Sequence, residues 1–431
     1  MQIYRDLAEK KTAMAVIGLG YVGLPVALAF AKKIRVIAFD QNEERINQLQ
    51  QAVDSNKETD ADSFLKTDIL FTVNPDDLQA ARFFLVAVPT PVDKHKLPDL
   101  SYLKKAVHTI GSYLKKGDYV VFESTVYPGC TEEECLPVLE KISGLQCGID
   151  FKIGYSPERI NPGDKTNSFS STIKVVAGCD AVSLEQLAQV YEMVVTAGVH
   201  RAPNIKVAEA SKIVENTQRD LNVSLMNELS IIFNKLSINT GDVLDAASTK
   251  WNFMKFVPGL VGGHCIDVDP YYLTYKAKQV GYESKVIAAG RFVNDDMPLY
   301  VSNKILTHIK ENNESAVNAK VLVLGATFKE NVSDIRNSKV MDLVKDLLSN
   351  QLKVDFADIN AEPAAVKKMY DLDMSNQISK DYDAVVLAVA HNEYKNFTEE
   401  YLLSISKPNA LFADLKGIYR GKISKLVYWS L

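Results

Sequence analysis

Met14-Ala-Val-Ile-Gly18-Leu-Gly20-Tyr-Val-Gly23-Leu-Pro-Val-Ala-Leu-Ala-Phe-Ala-Lys-Lys-Ile-Arg35-Val-Ile-Ala-Phe-Asp40 is the stretch on which the fold turns. A short apolar run, MAVI, leads straight into Gly-x-Gly-x-x-Gly and then into helix formers from about Val22. A second apolar run, RVIAFD, follows and ends on an acid. Strand, glycine turn, helix and strand open a parallel sheet, because parallel neighbours need a crossover. The glycines permit a tight turn and close approach of the backbone to a pyrophosphate, and the first N–H groups of the helix supply donors. Three glycines alone do no more than turn a chain. Here Asp40 stands about twenty residues on, where an acidic residue meets the adenosine ribose hydroxyls. Gly18, Gly20, Gly23 and Asp40 therefore form a candidate dinucleotide site. A carboxylate there repels a 2′-phosphate, which favours NAD over NADP.

Outward from this unit the same alternation continues through FFLVAVPTP, DYVVFEST and FKIGYSPE, and a second series begins near Lys320 with KVLVLGATFK, KVDFAD, DAVVLAVAH and ALFADLKG. Between the two series, from about Ile205 to Asn239, runs a stretch with neither Pro nor Gly, long enough for a helix of roughly 50 Å. The expected fold is α/β: two Rossmann-like doubly wound parallel sheets joined by a long central helix. The expected domains are residues 1–200, binding the dinucleotide; 201–305, helical; and 306–431. Duplication and two uses of one common superfold both explain the two halves.

At 431 residues the chain exceeds one core of roughly 100–200 residues. Its net charge of -5 gives no pull toward nucleic acid or anionic lipid, so anionic ligands must be held locally. No apolar h-region follows MQIYRDLAEKK and no segment approaches about 18 apolar residues, so neither secretion nor membrane spanning is expected. The five cysteines are odd in number and include no CxxC pair. That argues against a disulfide framework and against a bound metal, and points to a reducing, cytoplasmic setting.

Thr90 in VPTP and Thr125 in ESTVYPG follow strands, where ligands of open α/β sheets bind, so both either border the nicotinamide or cap helices. Arg45 either lies along the adenine or is a solvated helix charge. Gly259-Leu-Val-Gly-Gly-His-Cys265-Ile-Asp-Val-Asp269 places one cysteine in a glycine-rich turn, where a substrate carbonyl can approach a thiol; a structural cysteine usually sits in an apolar run. His264 is adjacent in sequence and, on extended chain, points the other way, so it is read as structural. Glu209, Lys212, Asn216 and Arg219 recur at three and four residues and share a helix face. Such a stripe is ordinarily solvated, yet an ammonium, a carboxamide and a guanidinium together suit an oxyanion and phosphate or sugar groups.

With SPERINPG, VAEASKIVENTQRDLN, PGLVGGHCIDVDPYYL and FKENVSDIRNSK in this order, the chain resembles the UDP-glucose/GDP-mannose dehydrogenase family over nearly its whole length. Within it the motifs are most similar to the UDP-N-acetylhexosamine 6-dehydrogenases of bacterial capsule and O-antigen pathways, the Vi-antigen type in particular. The resemblance implies a four-electron, NAD-dependent oxidation of a UDP-sugar C6 hydroxyl to a carboxylate, in a homodimer or higher homo-oligomer. It implies Cys265 as nucleophile, Lys212 as proton donor and acceptor with Asn216 as its partner, Asp269 tuning the cysteine or holding water, Glu158 as general base and Thr125 orienting the water. Tyr21, Val22, Asp40, Arg45, Thr90, Thr125 and Arg336 would contact NAD. Arg159, Ile160, Lys212, Asn216, Arg219, Gly259, Phe328, Lys329 and Lys416 would contact the UDP-sugar. Asp267 departs from the proline or glycine common in the family; a carboxylate so near Cys265 would raise the thiol's pKa if it faced inward, so it is expected to point away. Val268 replaces the lysine typical of the UDP-glucose branch, which favours an N-acetylhexosamine.

A two-electron β-hydroxyacid dehydrogenase would share the dinucleotide domain and a Lys/Asn helix but would have no use for Cys265. A nucleotide-sensing scaffold would need none of Cys265, Lys212 and Asn216.

Overall fold

The computed structural model describes residues 2–56, 58–160, 168–263, 266–313 and 315–431. The chain divides into two compact units, Met1–Glu215 with Tyr271–Tyr282, and Asn216–Pro270 with Glu283–Leu431.

Among the described residues the first unit carries β1 (Ala13–Ile17), β2 (Val36–Phe39), β3 (Ile69–Thr72), β4 (Ala81–Val86), β5 (Tyr119–Phe122), β6 (Lys152–Tyr155), β7 (Lys174–Gly178) and β8 (Val199–Arg201). They form one sheet in the order β3-β2-β1-β4-β5-β6-β7-β8. Neighbours run parallel except β6 and β7, a reversal that the apolar alternation does not announce. Every residue of β1, β2 and β5 is buried, as expected for strands covered on both faces. Helix Gly23–Ala31 packs Leu24, Val26, Ala27, Leu28 and Phe30 into this core, with the Phe30 ring edge-on to Tyr191 at 5.8 Å. Sequence order reverses between β1 and β4, so the loops after these two strands flank the crevice where such folds hold ligands.

The second unit holds β9 (Lys320–Leu324), β10 (Lys353–Ala357), β11 (Tyr382–Leu387), β12 (Ser406–Asp414) and β13 (Val427–Ser430), all parallel, in the order β10-β9-β11-β12-β13. Its core joins Val321, Val323, Ala384, Val386 and Leu411 to Met297, Val301 and Ile305 of helix Val286–Asn312.

The long central helix spans Ile205–Lys235 and crosses the boundary between the units after Glu215. It stops short of Asn239 because Ser237 takes a left-handed backbone (φ 57°). Asn239 instead caps the following helix Thr240–Ala247, its carboxamide oxygen accepting the Asp242 N–H at 3.1 Å.

Candidate functional site

The glycine turn of the first unit is dictated by sterics. Gly18 has φ 91°, and a Cβ there would lie 2.9 Å from the Ala87 carbonyl oxygen; a Cβ on Gly23 would lie 1.8 Å from the Gly18 oxygen. A Cβ on Gly20 would meet nothing within 4 Å, so its backbone faces open space where a ligand can approach. Half-buried Tyr21 and Val22 follow directly, Val22 as the N-cap residue of helix Gly23–Ala31. Asp40 is tied to the turn, accepting the Leu19 N–H at 2.8 Å on one oxygen and the Asn42 N–H at 3.0 Å on the other. Arg45 is buried, which removes the solvated-charge reading. Its Nε donates to the Leu19 carbonyl at 3.0 Å, Nη1 pairs with Asp54 at 2.8 Å, and Nη2 is enclosed with no hydrogen-bond partner among the described residues. Open backbone at Gly20, an acid fixed beside it and an orphaned guanidinium nitrogen fit a dinucleotide. After β4 and β5, the Thr90 hydroxyl donates to the Thr125 carbonyl at 2.6 Å; among the described residues neither threonine caps a helix.

Beyond β6 the same unit buries a charge cluster that sequence reasoning found only in part. Glu158 is 5% exposed. One of its oxygens accepts the backbone N–H groups of Arg159 (2.6 Å) and Ile160, and the other accepts Lys174 Nζ at 3.2 Å. Lys174 Nζ also lies 2.8 Å from Glu123, which accepts the Tyr191 hydroxyl on its second oxygen. Burial opposes ionisation of Glu158, but the Lys174 ammonium, the Ile160 N–H, Glu123 and Lys212 outweigh it and hold the carboxyl below its usual range. Burial pushes Glu123 well above that range, against the pull of Lys174. Lys174 stays protonated: the two acids overcome its desolvation. Arg159, half-buried, donates to the Ile173 carbonyl at 3.0 Å and pairs with Glu215.

The helical stripe divides into different jobs. Glu209 is fully buried and accepts the Gly129 and Thr131 N–H groups at 2.5 and 2.9 Å, so it braces a loop; burial pushes its carboxyl up to about 7. Lys212 and Asn216 are buried one turn apart, whereas Arg219 is exposed.

In the second unit the Asn216 carboxamide donates to Asp269, which is 1% exposed. His264 and Cys265 lie outside the described residues; the flanks of their loop are pinned. Gly259 exchanges two hydrogen bonds with the Asn227 carboxamide, at 2.8 and 3.0 Å. A Cβ on Gly259 would lie 3.0 Å from Lys416 Nζ, itself 3.4 Å from Glu330, and one on Gly263 (φ 92°) would lie 2.6 Å from the Phe328 ring. Lys329 Nζ is 5.7 Å from the Phe328 ring centroid. Gly259, Lys416, Phe328 and Lys329 thus gather at one place. Arg336 pairs with Asp334 at 2.6 Å. Asp267 pairs with Arg291 and lies 3.8 Å from Lys339, which accounts for a carboxylate in this loop.

Glu123, Lys174, Asn227, Arg291 and Lys339 escaped sequence reasoning. Only Glu123 had a signal, standing two residues before Thr125 in the ESTVYPG motif.

Fold and turn together define a dinucleotide-binding protein. The chain matches the UDP-glucose/GDP-mannose dehydrogenase family in its NAD binding domain over residues 12–195, its central domain over 206–296 and its UDP binding domain over 322–421. It is 51% identical over 406 residues to Protein CapL of Staphylococcus aureus, covering 94% of this chain and 96% of that one. It is 50% identical over 411 residues to a UDP-N-acetyl-D-glucosamine 6-dehydrogenase of Pseudomonas aeruginosa, covering 94% and 97%. A solved UDP-D-ManNAc dehydrogenase from Pyrococcus horikoshii superposes with a TM-score of 0.88 at 27% identity, covering 97% of this chain and 98% of that one. The chain belongs to the UDP-glucose/GDP-mannose dehydrogenase family and is an NAD-dependent oxidoreductase with a UDP binding domain. No described helix is long and apolar enough to cross a membrane.

Proposed function

We propose that this chain oxidises the C6 hydroxyl of a UDP-N-acetylhexosamine, with UDP-N-acetyl-D-glucosamine the first choice and its galacto epimer the second, to the uronate. What carries the substrate is the 50% identity across 94% of the chain to a relative of that printed activity, against 34% to the UDP-N-acetyl-D-mannosamine dehydrogenases of Methanocaldococcus jannaschii and Campylobacter jejuni. Bound at the Gly18–Gly23 turn, NAD supplies the hydride acceptor, one molecule for each of two oxidations.

The protein's part is proton handling and covalent trapping. In the first oxidation Lys212 takes the C6 hydroxyl proton; the Cys265 thiolate then bonds to the aldehyde carbon and the carbonyl oxygen takes that proton from Lys212, giving a thiohemiacetal. When that carbon gives up its hydride, the hydroxyl proton returns to Lys212 and a thioester remains. Water, oriented by Thr125, attacks; its proton passes to Glu158, the C–S bond breaks and the thiolate leaves. Asn216 supports the oxyanion beside Lys212, and Asp269, bonded to its carboxamide, fixes how it points. Tyr21, Val22, Asp40, Arg45, Thr90, Thr125 and Arg336 are assigned to NAD. Arg159, Ile160, Lys212, Asn216, Arg219, Gly259, Phe328, Lys329 and Lys416 are assigned to the UDP-sugar.

Domain bounds of 1–200, 201–305 and 306–431, a homo-oligomer, a cytoplasmic setting and a role in capsule or O-antigen synthesis belong to the same reading, supported by the family segments and by the capsule-type motifs. The test is a panel of pure UDP-sugars with NAD, following NADH and identifying the acid. Two NADH per sugar and an N-acetylhexosaminuronate are expected; one NADH per sugar, or turnover confined to UDP-glucose, overturns the reading.

A further inference from the structure

We propose that Lys174 and Glu123 are positioning residues for the reaction: Lys174 grips one oxygen of Glu158 while two backbone N–H groups grip the other, so that the base is fixed in place as a carboxylate. The inference rests on the reading of Glu158 as the base and adds to it the residues that equip it for the task.

The geometry is one of enclosure. The side chains of Lys174, Glu123 and Glu158 are 3%, 0% and 6% exposed, so none of the three charges is shared with solvent. Lys174 Nζ bridges the acids at 2.8 and 3.2 Å and lies 5.1 and 5.6 Å from the ring centroids of Phe169 and Tyr191. Glu158 is faced by Lys174 at the start of β7, by Glu123 directly after β5, and by the Lys212 charge from the central helix; Tyr191, of helix Ala181–Glu192, reaches the cluster through Glu123.

Two carboxylates bridged by one ammonium and cut off from solvent repel each other, and a proton on one of them relieves that repulsion. Burial selects Glu123, which is enclosed on every side. Glu158, with two backbone N–H donors of its own, keeps the charge. Folding alone does not call for this arrangement, since apolar side chains of similar volume usually serve a core as well as or better than buried ions. A general base must be deprotonated to act, and this cluster holds one carboxylate ionised in a buried setting.

The test is the pH profile of uronate formation from UDP-N-acetyl-D-glucosamine and NAD. Lys174→Gln is expected to move the acid limb upward by about 1–3 pH units, because an opposite charge at this distance is worth that much. Lys174→Arg should restore the limb. Glu123→Gln, which keeps a hydrogen-bonding group but no ionisable one, should leave the limb in place or move it down. Because two buried acids stripped of their cation can prevent folding, Lys174→Gln/Glu123→Gln is made alongside and should also show the raised limb. An unmoved limb in folded Lys174→Gln or in the double variant, or an equal upward shift in Glu123→Gln, overturns the proposal. Glu158→Gln tests the underlying reading separately: normal uronate turnover by that variant sinks the base assignment, whatever the Lys174 variants do.

Discussion

Arg291 donates to Asp220 at 2.7 Å through Nη1, and through Nη2 to Asp267 and to Asp295 at 2.6 Å, while Lys339 sits 2.9 Å from Asp295 and 3.8 Å from Asp267. Three buried or half-buried carboxylates thus share two cations, with exposed Asp342 3.6 Å from Lys339 as a fourth, and the cations are the scarcer partner. Asp267→Asn leaves Arg291 with two acids and removes one charge-assisted hydrogen bond, a loss of about 1–3 kcal/mol. Arg291→Met leaves three acids facing one lysine and should cost about 3–5 kcal/mol. Thermal unfolding should therefore place Arg291→Met well below Asp267→Asn; the reverse ranking would refute the account. Glu209 makes a prediction in pH. Its native carboxyl, raised by burial from 4.5 to about 7, holds its proton more tightly than in the unfolded chain. Between those values the native state binds more protons, so its stability falls as pH rises from about 4.5 to about 7 and is flat above. Glu209→Ala loses the two N–H acceptors but also this penalty. The stability gap between wild type and Glu209→Ala should narrow across that window, and a gap constant with pH would contradict the burial argument.

At the scale of elements, one device occurs twice. After β1 the Gly18 N–H bonds to the Phe39 carbonyl at 2.9 Å, and Asp40 accepts the Leu19 and Asn42 N–H groups; after β9 the Gly325 N–H bonds to the Ala357 carbonyl at 2.8 Å, and Asp358 accepts the Ala326 and Asn360 N–H groups. A glycine turn facing an acid at the end of the next strand produces this pattern in either half, whether or not the halves share an ancestor. The outcomes differ, because Asp40 stays half-exposed whereas Asp358 is 1% exposed and bonded to His391 Nε2 at 3.0 Å. Only the first acid can meet a ribose. Asp40→Ala should raise KM for NAD by about tenfold or more, through the loss of hydrogen bonds to a charged group. Asp358→Ala should lower Tm without changing that KM. An equal effect of both on KM for NAD would show that the distinction drawn from burial is mistaken. The same contrast explains what was legible in the sequence. Strands β1, β4 and β5 read as apolar runs because they are buried almost throughout, while β8 is three residues with none buried and left no run to see. Helix Val286–Asn312 contains Gly290 and Pro298, which argue against a helix locally. The glycine gives room to two side chains of the central helix: a Cβ there would lie 2.4 Å from Leu221 Cδ2 and 2.9 Å from Ser224 Oγ, so both would have to shift. Within the site, the Gly18–Asp40 turn was readable because its cause is local. The Glu123–Lys174–Glu158 cluster was readable only at Glu158, through the resemblance carried by SPERINPG, because its members come from separate strands and loops and Glu123 and Lys174 were not singled out.

At the scale of the whole molecule, the number of electrons decides what the cysteine is for. Oxidising an alcohol to an acid removes four electrons, and each NAD accepts two. The intermediate aldehyde offers no carbon ready for a second hydride loss until something adds to it and makes it tetrahedral. In this reading Cys265 is that addend, so the first oxidation proceeds without it and the second does not. Cys265→Ala should form no uronate, and because oxidation of an alcohol to a free aldehyde is uphill near neutral pH, its NADH yield should stay below one per sugar. It should still bind NAD and the UDP-sugar, since the Gly18–Asp40 turn and the residues assigned to the UDP-sugar are unchanged in it. Ligand-induced thermal shifts equal to those of wild type, together with the loss of uronate, would isolate the defect to the second oxidation. Uronate formed by Cys265→Ala at the normal rate would overturn the covalent route while leaving the fold and the NAD site untouched.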